Sequence, residues 1–388
     1  MVNQVDLTAL VEGNNTFAFD LYQSLKKSGD NFFYSPFSIS EALAMVYAGA
    51  RGETAEEMVD TLHFDLKNSR LHRAFKSIDQ EFRRRGTKKR GRNSKGFELC
   101  KINALWAQKG CTFSRDFLTI LDEDYGTGVR IADFVKKPEQ SRKAINKWIS
   151  SRTKERIRDL MPQGAIDASA RLVATNAVYF NAAWKCPFDQ ATTFNSPFYL
   201  LDGNTIVVPM MRQTESFGYT EGETFQAVDL HYDGSELSMV VLLPEKQQFA
   251  TFQESLNAEL ANGIIRKLED REVILSMPKF KFGSGFSLNE ALTAMGMSHA
   301  FAHDANFSGM TNDKGFFINN FMHSAFISVD EVGTEATAVS TTMATAAEPE
   351  EPVEVIVNRP FIFLIRDIAT KAILFIGRVI DPGTSMPL

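Results

Sequence analysis

Three observations on the 388-residue chain predict an α+β protein. Helical periodicity dominates the first part, short β-branched and aromatic runs dominate from Arg171 onward, and no Pro-rich or Gly/Ser-rich linker separates the two. No internal repeat is visible, so one intertwined domain over residues 1–388 is expected. In chain order, "SISEALAMVYAGARG" is Ala-rich with helical apolar spacing, and "TAEEMVDTLHF" opens with Thr54 and Glu57 at capping-box spacing. "LHRAFKSIDQEF" reads as a helix and "FELCKINALWAQ" as a strand. "PEQSRKAINKWISSRTKERI" starts at a proline and sets Ile145, Trp148 and Ile149 on one side of a helix. Then "RLVATNAVYF", "SMVVLLP", "REVILSMPKFKF", "SAFISVD" and "AILFIGRVI", each bounded by turn residues, read as strands of large sheets.

Composition narrows the function classes. Apolar residues make up 44% and charged residues 23%, the balance of a globular protein with a large core. A net charge of -6 argues against a surface built as a whole for nucleic acid or anionic lipid. The longest apolar runs, "MVVLL" and "PFIFLI", are far short of a membrane span. The amino end lacks a basic start, a sustained apolar stretch and a cleavage site, so it does not read as a signal peptide. Cys100, Cys111 and Cys186 read as free thiols, which leans towards the cytoplasm; a leader removed beforehand would make the chain extracellular.

Motifs for catalysis are missing: there is no G-x-S-x-G, P-loop, G-x-G-x-x-G or H-E-x-x-H, so no enzyme is expected. "HAFAH" spaces His299 and His303 as metal ligands on a helix would be, but the surrounding Ala and Phe suit a packed helix end, and no metal is expected. The run over residues 83–96 is the strongest charge signal. Arg83, Arg84, Arg85, Lys88, Lys89, Arg90, Arg92 and Lys95 stand together without an acid. Such a loop either holds phosphates or sulfates of a heparin-like or nucleic-acid polyanion, or is simply solvated; both readings stand.

Residues 331–352, "EVGTEATAVSTTMATAAEPEEP", are too small to build a core and too β-branched for a good helix. A segment this long between two strand-like runs asks for a function. At this point the chain resembles the serpin family over nearly its whole length. "FFYSPFSISEALAMVYAGARGET" is similar to an early helical segment of that family, "LVATNAVYFNAAWKCPFD" to its central strand, "FISVDEVGTEATA" to its hinge and "NRPFIFLIRDIATKAILFIGRVIDP" to its carboxyl-terminal signature. The resemblance implies three β-sheets, about nine helices and an exposed reactive-centre loop, here residues 331–352. It also implies a suicide-substrate inhibitor of a serine protease, with cysteine proteases as a further target class. Serpin loop insertion is an established case of stored strain, so this mechanism comes with the resemblance and not from the composition.

The same resemblance assigns single residues. Glu331, Gly333, Thr334, Glu335, Ala336, Thr337 and Ala338 match the hinge. Ser35, Ser38, Asn176 and His323 match the shutter, and Trp184 and Lys279 the breach, with Lys279 expected in an exposed ion pair with Glu331. Counting sixteen residues on from Glu331 puts the reactive bond at Ala347-Glu348, with Met343-Ala344 and Ala346-Ala347 as alternatives. "ATAA" before it suits elastase-like or subtilisin-like pockets. From the residues themselves, one strand face of 334–342 carries Thr334, Ala336, Ala338, Ser340 and Thr342, all small. The competing reading is a non-inhibitory, serpin-fold binding protein that engages a polyanion through residues 83–96. A monomer without a resident cofactor is expected.

Overall fold

"LVATNAVYFNAA" is apolar on both strand parities, and it forms the strand that the rest of one sheet is built around, with only Asn181 half-exposed. The computed structural model describes residues 3–67, 69–86, 97–313, 315–334 and 351–384. Among these residues the helices are α1 (Gln4–Leu25), α2 (Pro36–Tyr47), α3 (Gly52–Leu62), α4 (Ser69–Gly86), α5 (Arg115–Tyr125), α6 (Pro138–Arg152), α7 (Phe249–Ser255), α8 (Ala258–Arg266) and α9 (Asn289–Ala294). The strands are β1 (Phe32–Tyr34), β2 (Phe97–Gln108), β3 (Val129–Ala132), β4 (Leu172–Ala183), β5 (Phe194–Tyr199), β6 (Thr205–Gly222), β7 (Phe225–His231) and β8 (Leu237–Pro244). They continue with β9 (Glu269–Pro278), β10 (Phe280–Ser287), β11 (Ile318–Val329), β12 (Gly333–Thr334), β13 (Val353–Ile356), β14 (Phe361–Asp367) and β15 (Ile373–Val379).

A six-stranded sheet runs β10-β11-β12-β4-β2-β3, with β11 and β4 also paired directly in parallel. The remaining strands form a nine-stranded network, β1-β15-β14-β8-β7-β6-β9-β13 with β5 on β6. The expected three sheets are thus joined through one long strand: β6 pairs with β5 at one end, with β9 along its middle and with β7 at the other end. α2 starts because Ser35 caps the Ser38 amide and Pro36 occupies the first turn, and it is buried on nearly every side. α6 begins at Pro138 as the sequence predicts and packs Ile145 and Ile149 onto a second core cluster with Trp106, Val173 and Ala177.

Two local expectations fail. "TAEEMVDTLHF" is helical, but its capping box does not form: Thr54 lies inside α3 and accepts the Asn306 amide, while Glu57 accepts from the Ser298 and His299 amides. Distant partners captured both side chains. "REVILSMPKFKF" is two strands, β9 and β10, broken at Lys279.

Candidate functional site

β11 and β4 are paired from Ile318 and Leu172 to Phe326 and Tyr179. Above that the two strands part, and β12 stands between them, with Thr334 opposite both Val329 and Ala182. Thr334 is fully buried, and its hydroxyl meets the Tyr232 hydroxyl at 2.9 Å. Burial pushes the Tyr232 phenol far up, so it stays a neutral hydrogen-bonding group. Tyr232 stacks on Trp184 with ring centroids 4.7 Å apart. Trp184 in turn holds the turn before β12: its indole N–H donates to the Asp330 carbonyl at 3.0 Å and its amide to the Val332 carbonyl at 2.8 Å. The Asp330 carboxylate accepts from the Val332 and Gly333 amides. These contacts fix where β12 enters the sheet.

Lys279 and Glu331 form the expected pair, at 2.8 Å, but it is not an exposed one. Glu331 is buried, because Phe188 donates its amide to the Glu331 carbonyl and Thr193 donates its hydroxyl to the carboxylate at 2.7 Å. Burial pushes this carboxyl up, yet the hydrogen bonds from Lys279 and Thr193 outweigh it and hold the group below the ordinary glutamate value. A paired, half-desolvated carboxylate therefore anchors the turn that leads into β12.

Ser35, Ser38, Asn176 and His323 meet at the middle of the sheet, where Asn176 and His323 are register partners on β4 and β11. The Ser35 amide donates to His323 Nε2 at 3.4 Å, which puts the proton of the neutral ring on Nδ1, facing Asn176 Oδ1 at 2.5 Å. Burial pushes the His323 pKa down to about 3. The Asn176 amide donates to the Ser38 carbonyl and hydroxyl and to Asn103 Oδ1. Asn103 donates to Glu41, which is held by Lys101 at 2.9 Å. Sequence reasoning missed Asn103, Glu41, Lys101, Tyr232, Thr193 and Asp330. For Lys101 and Asn103 a signal existed: both share the strand parity of Phe97, Leu105 and Ala107, an apolar face of β2 that buries in the main core and should not carry them.

Glu335, Ala336, Thr337, Ala338, Met343, Ala347 and Glu348 lie outside the described residues, as do Lys88, Lys89, Arg90, Arg92 and Lys95. The remaining basic residues are not part of a loop. Arg83, Arg84 and Arg85 form the last turn of α4, where Arg83 pairs with Asp79 and Arg84 with Glu81. Arg85 turns inward, buried, and meets Asp367 at 2.6 Å, so it is withdrawn from the surface run to which the sequence assigns it. His299 sits in a single 3-10 turn, bonded to Glu57 at 2.5 Å, and His303 packs on Phe317. Among the described residues no cluster has the makings of a metal site.

The fold and this geometry agree with the comparisons. The family model "Serpin (serine protease inhibitor)" matches residues 12–382. An uncharacterized serpin-like protein of Thermococcus kodakarensis is 37% identical, covering 96% of this chain and 86% of its own. The leukocyte elastase inhibitor A of Rattus norvegicus is 35% identical, covering 96% and 99%. Among solved structures, the thermophilic serpin tengpin in the native state superposes with a TM-score of 0.85 at 29% identity, covering 96% of this chain and 94% of its own. The chain belongs to the serpin family, whose members named here include protease inhibitors.

Proposed function

We propose that the protein inhibits a serine protease as a suicide substrate. The protease serine attacks the Ala347 carbonyl, the bond to Glu348 breaks, and an Ala347 ester to the enzyme remains. Insertion of the freed loop between β4 and β11 then carries the enzyme away and distorts its site before water can release it. The observation that supports this reading best is β12: the hinge already forms strand pairs to both neighbours, so further insertion continues an existing ladder.

The register of that ladder fits the loop sequence. Six residues below Val329 and Ala182 lie His323 and Asn176; six residues beyond Thr334 is Ser340. In an inserted loop Ser340 would stand between the two shutter residues, offering a hydroxyl to both. On the buried parity of Thr334 it is preceded by Ala336 and Ala338 and followed by Thr342 and Ala344, with no bulky or charged side chain. A carrier protein of this fold has no need of such a run.

Elastase-like and subtilisin-like enzymes are the proposed targets, from the small residues before the bond. Incubation with each should give an SDS-stable complex and release a carboxyl-terminal peptide beginning at Glu348. A peptide beginning at Ala344 moves the reactive bond to Met343, and cleavage without any complex refutes inhibition. We also propose that Lys88, Lys89, Arg90, Arg92 and Lys95 hold a polyanion such as heparin and thereby draw inhibitor and protease together. Retention on a heparin column should fall steeply with salt, and replacement of the five by serine should abolish it; unchanged retention ends that idea.

A further inference from the structure

Asp229 on β7, Gly218 on β6 and Asp270 on β9 are register partners across three neighbouring strands, so all three present the same face. Gly218 leaves a notch between the two carboxylates: a Cβ on it would lie 3.1 Å from the Asp229 Cβ and 3.6 Å from the Leu268 Cβ. The notch opens into a cavity of about 140 Å³ walled by Trp184, Phe217 and Leu230. Its polar groups are incompletely used. Asp229 is 4% exposed, and its Oδ2 accepts from Arg366 at 2.8 Å with His231 at 3.6 Å, but the buried Oδ1 has no hydrogen-bond partner. Burial pushes this carboxyl up, yet hydrogen bonding from His231 and the charge of Arg366 outweigh it and hold the group below the ordinary aspartate value, so the unused oxygen is that of an anion. Asp270 is exposed and, among the described residues, in no ion pair. Gln213 also lines the cavity, with its buried Nε2 unpaired.

Carboxylates on both sides of an empty position leave room for one cation between them. Two strand spacings, about 9–10 Å, separate the strands that carry them, which is the span of a guanidinium hydrogen-bonded at both edges. We propose that this cavity binds a small guanidinium ligand, its planar head over Gly218 and its N–H groups on Asp229 Oδ1 and the Asp270 carboxylate. Half a turn of the Gln213 amide presents Oε1 as a third acceptor and removes the unused donor. Trp184 and Phe217 supply aromatic walls of the kind that receive a planar cation. The volume admits such a head and little more. Among the described residues no cluster is fit to hold a metal ion, which favours an organic cation. Lys185, exposed, also borders the cavity and opposes the ligand. The proposal does not rest on the inhibitory reading, and its test needs no protease.

The probe is N-butylguanidinium, with the neutral and equally planar N-butylurea as the comparison. Calorimetric titration of the intact protein should show one site with a dissociation constant of about 1 mM, fair for so few atoms, and the urea should bind at least about tenfold more weakly. Asp270→Asn, at an exposed residue that leaves the fold alone, should raise the dissociation constant about tenfold, the worth of one charge-assisted hydrogen bond. Gly218→Ala keeps both charges and should weaken binding at least as much by filling the notch, whereas Lys185→Gln should tighten it. Because Asp229 also holds Arg366, its own replacement is not needed: the three variants at Gly218, Asp270 and Lys185 decide. Equal affinity for the two probes, or butylguanidinium binding indifferent to both Asp270→Asn and Gly218→Ala, overturns the proposal.

Discussion

Gly333 has a φ of 152°, and a Cβ on it would lie 2.2 Å from the Ala182 carbonyl oxygen. Any larger residue must therefore push β12 off β4. Gly333→Ala is expected to loosen the hinge and lower the yield of covalent complex several-fold; an unchanged yield on a gel would show that the close approach is dispensable. Thr334→Arg acts one residue further on. It puts an unpaired cation at a fully buried site, at a cost of several kcal/mol, so insertion should lose to deacylation. That variant should be cut as a substrate and form no SDS-stable complex, and a complex at normal yield refutes the insertion reading. His323 gives a pH test. Its native pKa is pushed down to about 3 and that of buried His72 to about 4, while unfolded histidine titrates near 6.5. Below about pH 6.5 the unfolded chain takes up protons that the native one refuses, so stability falls with pH, by about 1.4 kcal/mol per unit for each histidine. Above pH 7 this contribution is flat. His63 and His299, raised by hydrogen bonds to Asp20 and Glu57, act in the opposite sense. Comparing His323→Asn with the wild type between pH 4.5 and 6.5 isolates one histidine, and parallel stability curves would contradict the assignment.

Helix α4 ends on β14 through Arg85 and Asp367, and this contact shows what the sequence conceals at the level of an element. Read along the chain, Arg85 belongs to a run of cations. Read around the helix, it continues the spacing Leu71, Phe75, Ile78, Phe82, which is the buried face. Arg85→Ala is expected to cost about 3–5 kcal/mol by leaving Asp367 buried and uncompensated. Arg84→Ala, on an exposed partner of Glu81, should cost far less, because solvent screens that pair. Comparable losses in urea unfolding would mean that the buried pair is not what anchors the helix. The elements that sequence reasoning found, α6 from its proline and β4 from its unbroken apolar run, are those whose signal is local. Family resemblance singled out Glu331, Gly333 and Thr334, and no local signal would have done so, since nothing in "DEVGTE" demands a two-residue strand. Asn103, Tyr232 and Thr193 stayed hidden because each earns its place through a partner on a distant element. The same is true of Thr54 and Glu57, where tertiary contacts replaced the local cap.

Across the whole molecule, insertion would exchange the parallel β4–β11 ladder for two antiparallel ladders, one on each side of the incoming strand. Antiparallel pairing is slightly the more stable per residue, and the number of ladders doubles. The intact protein should therefore be a kinetic trap, and the cleaved protein should withstand heating tens of degrees beyond it. Melting both forms at one scan rate tests this; coincident transitions would leave the fold without a driving force for inhibition. Strand parity also bears on how such a chain diverges. If the loop inserts as proposed, its positions on the parity of Thr334 would answer to the interior of the sheet, whichever enzyme is met outside, and positions beyond the stretch that can pair with β4 would answer only to the enzyme. Descendants of this sequence would then exchange one target for another by drift around the proposed bond at Ala347 while Ala336, Ala338 and Ser340 stay small, and recombining these two stretches between relatives should transfer target preference without loss of trapping.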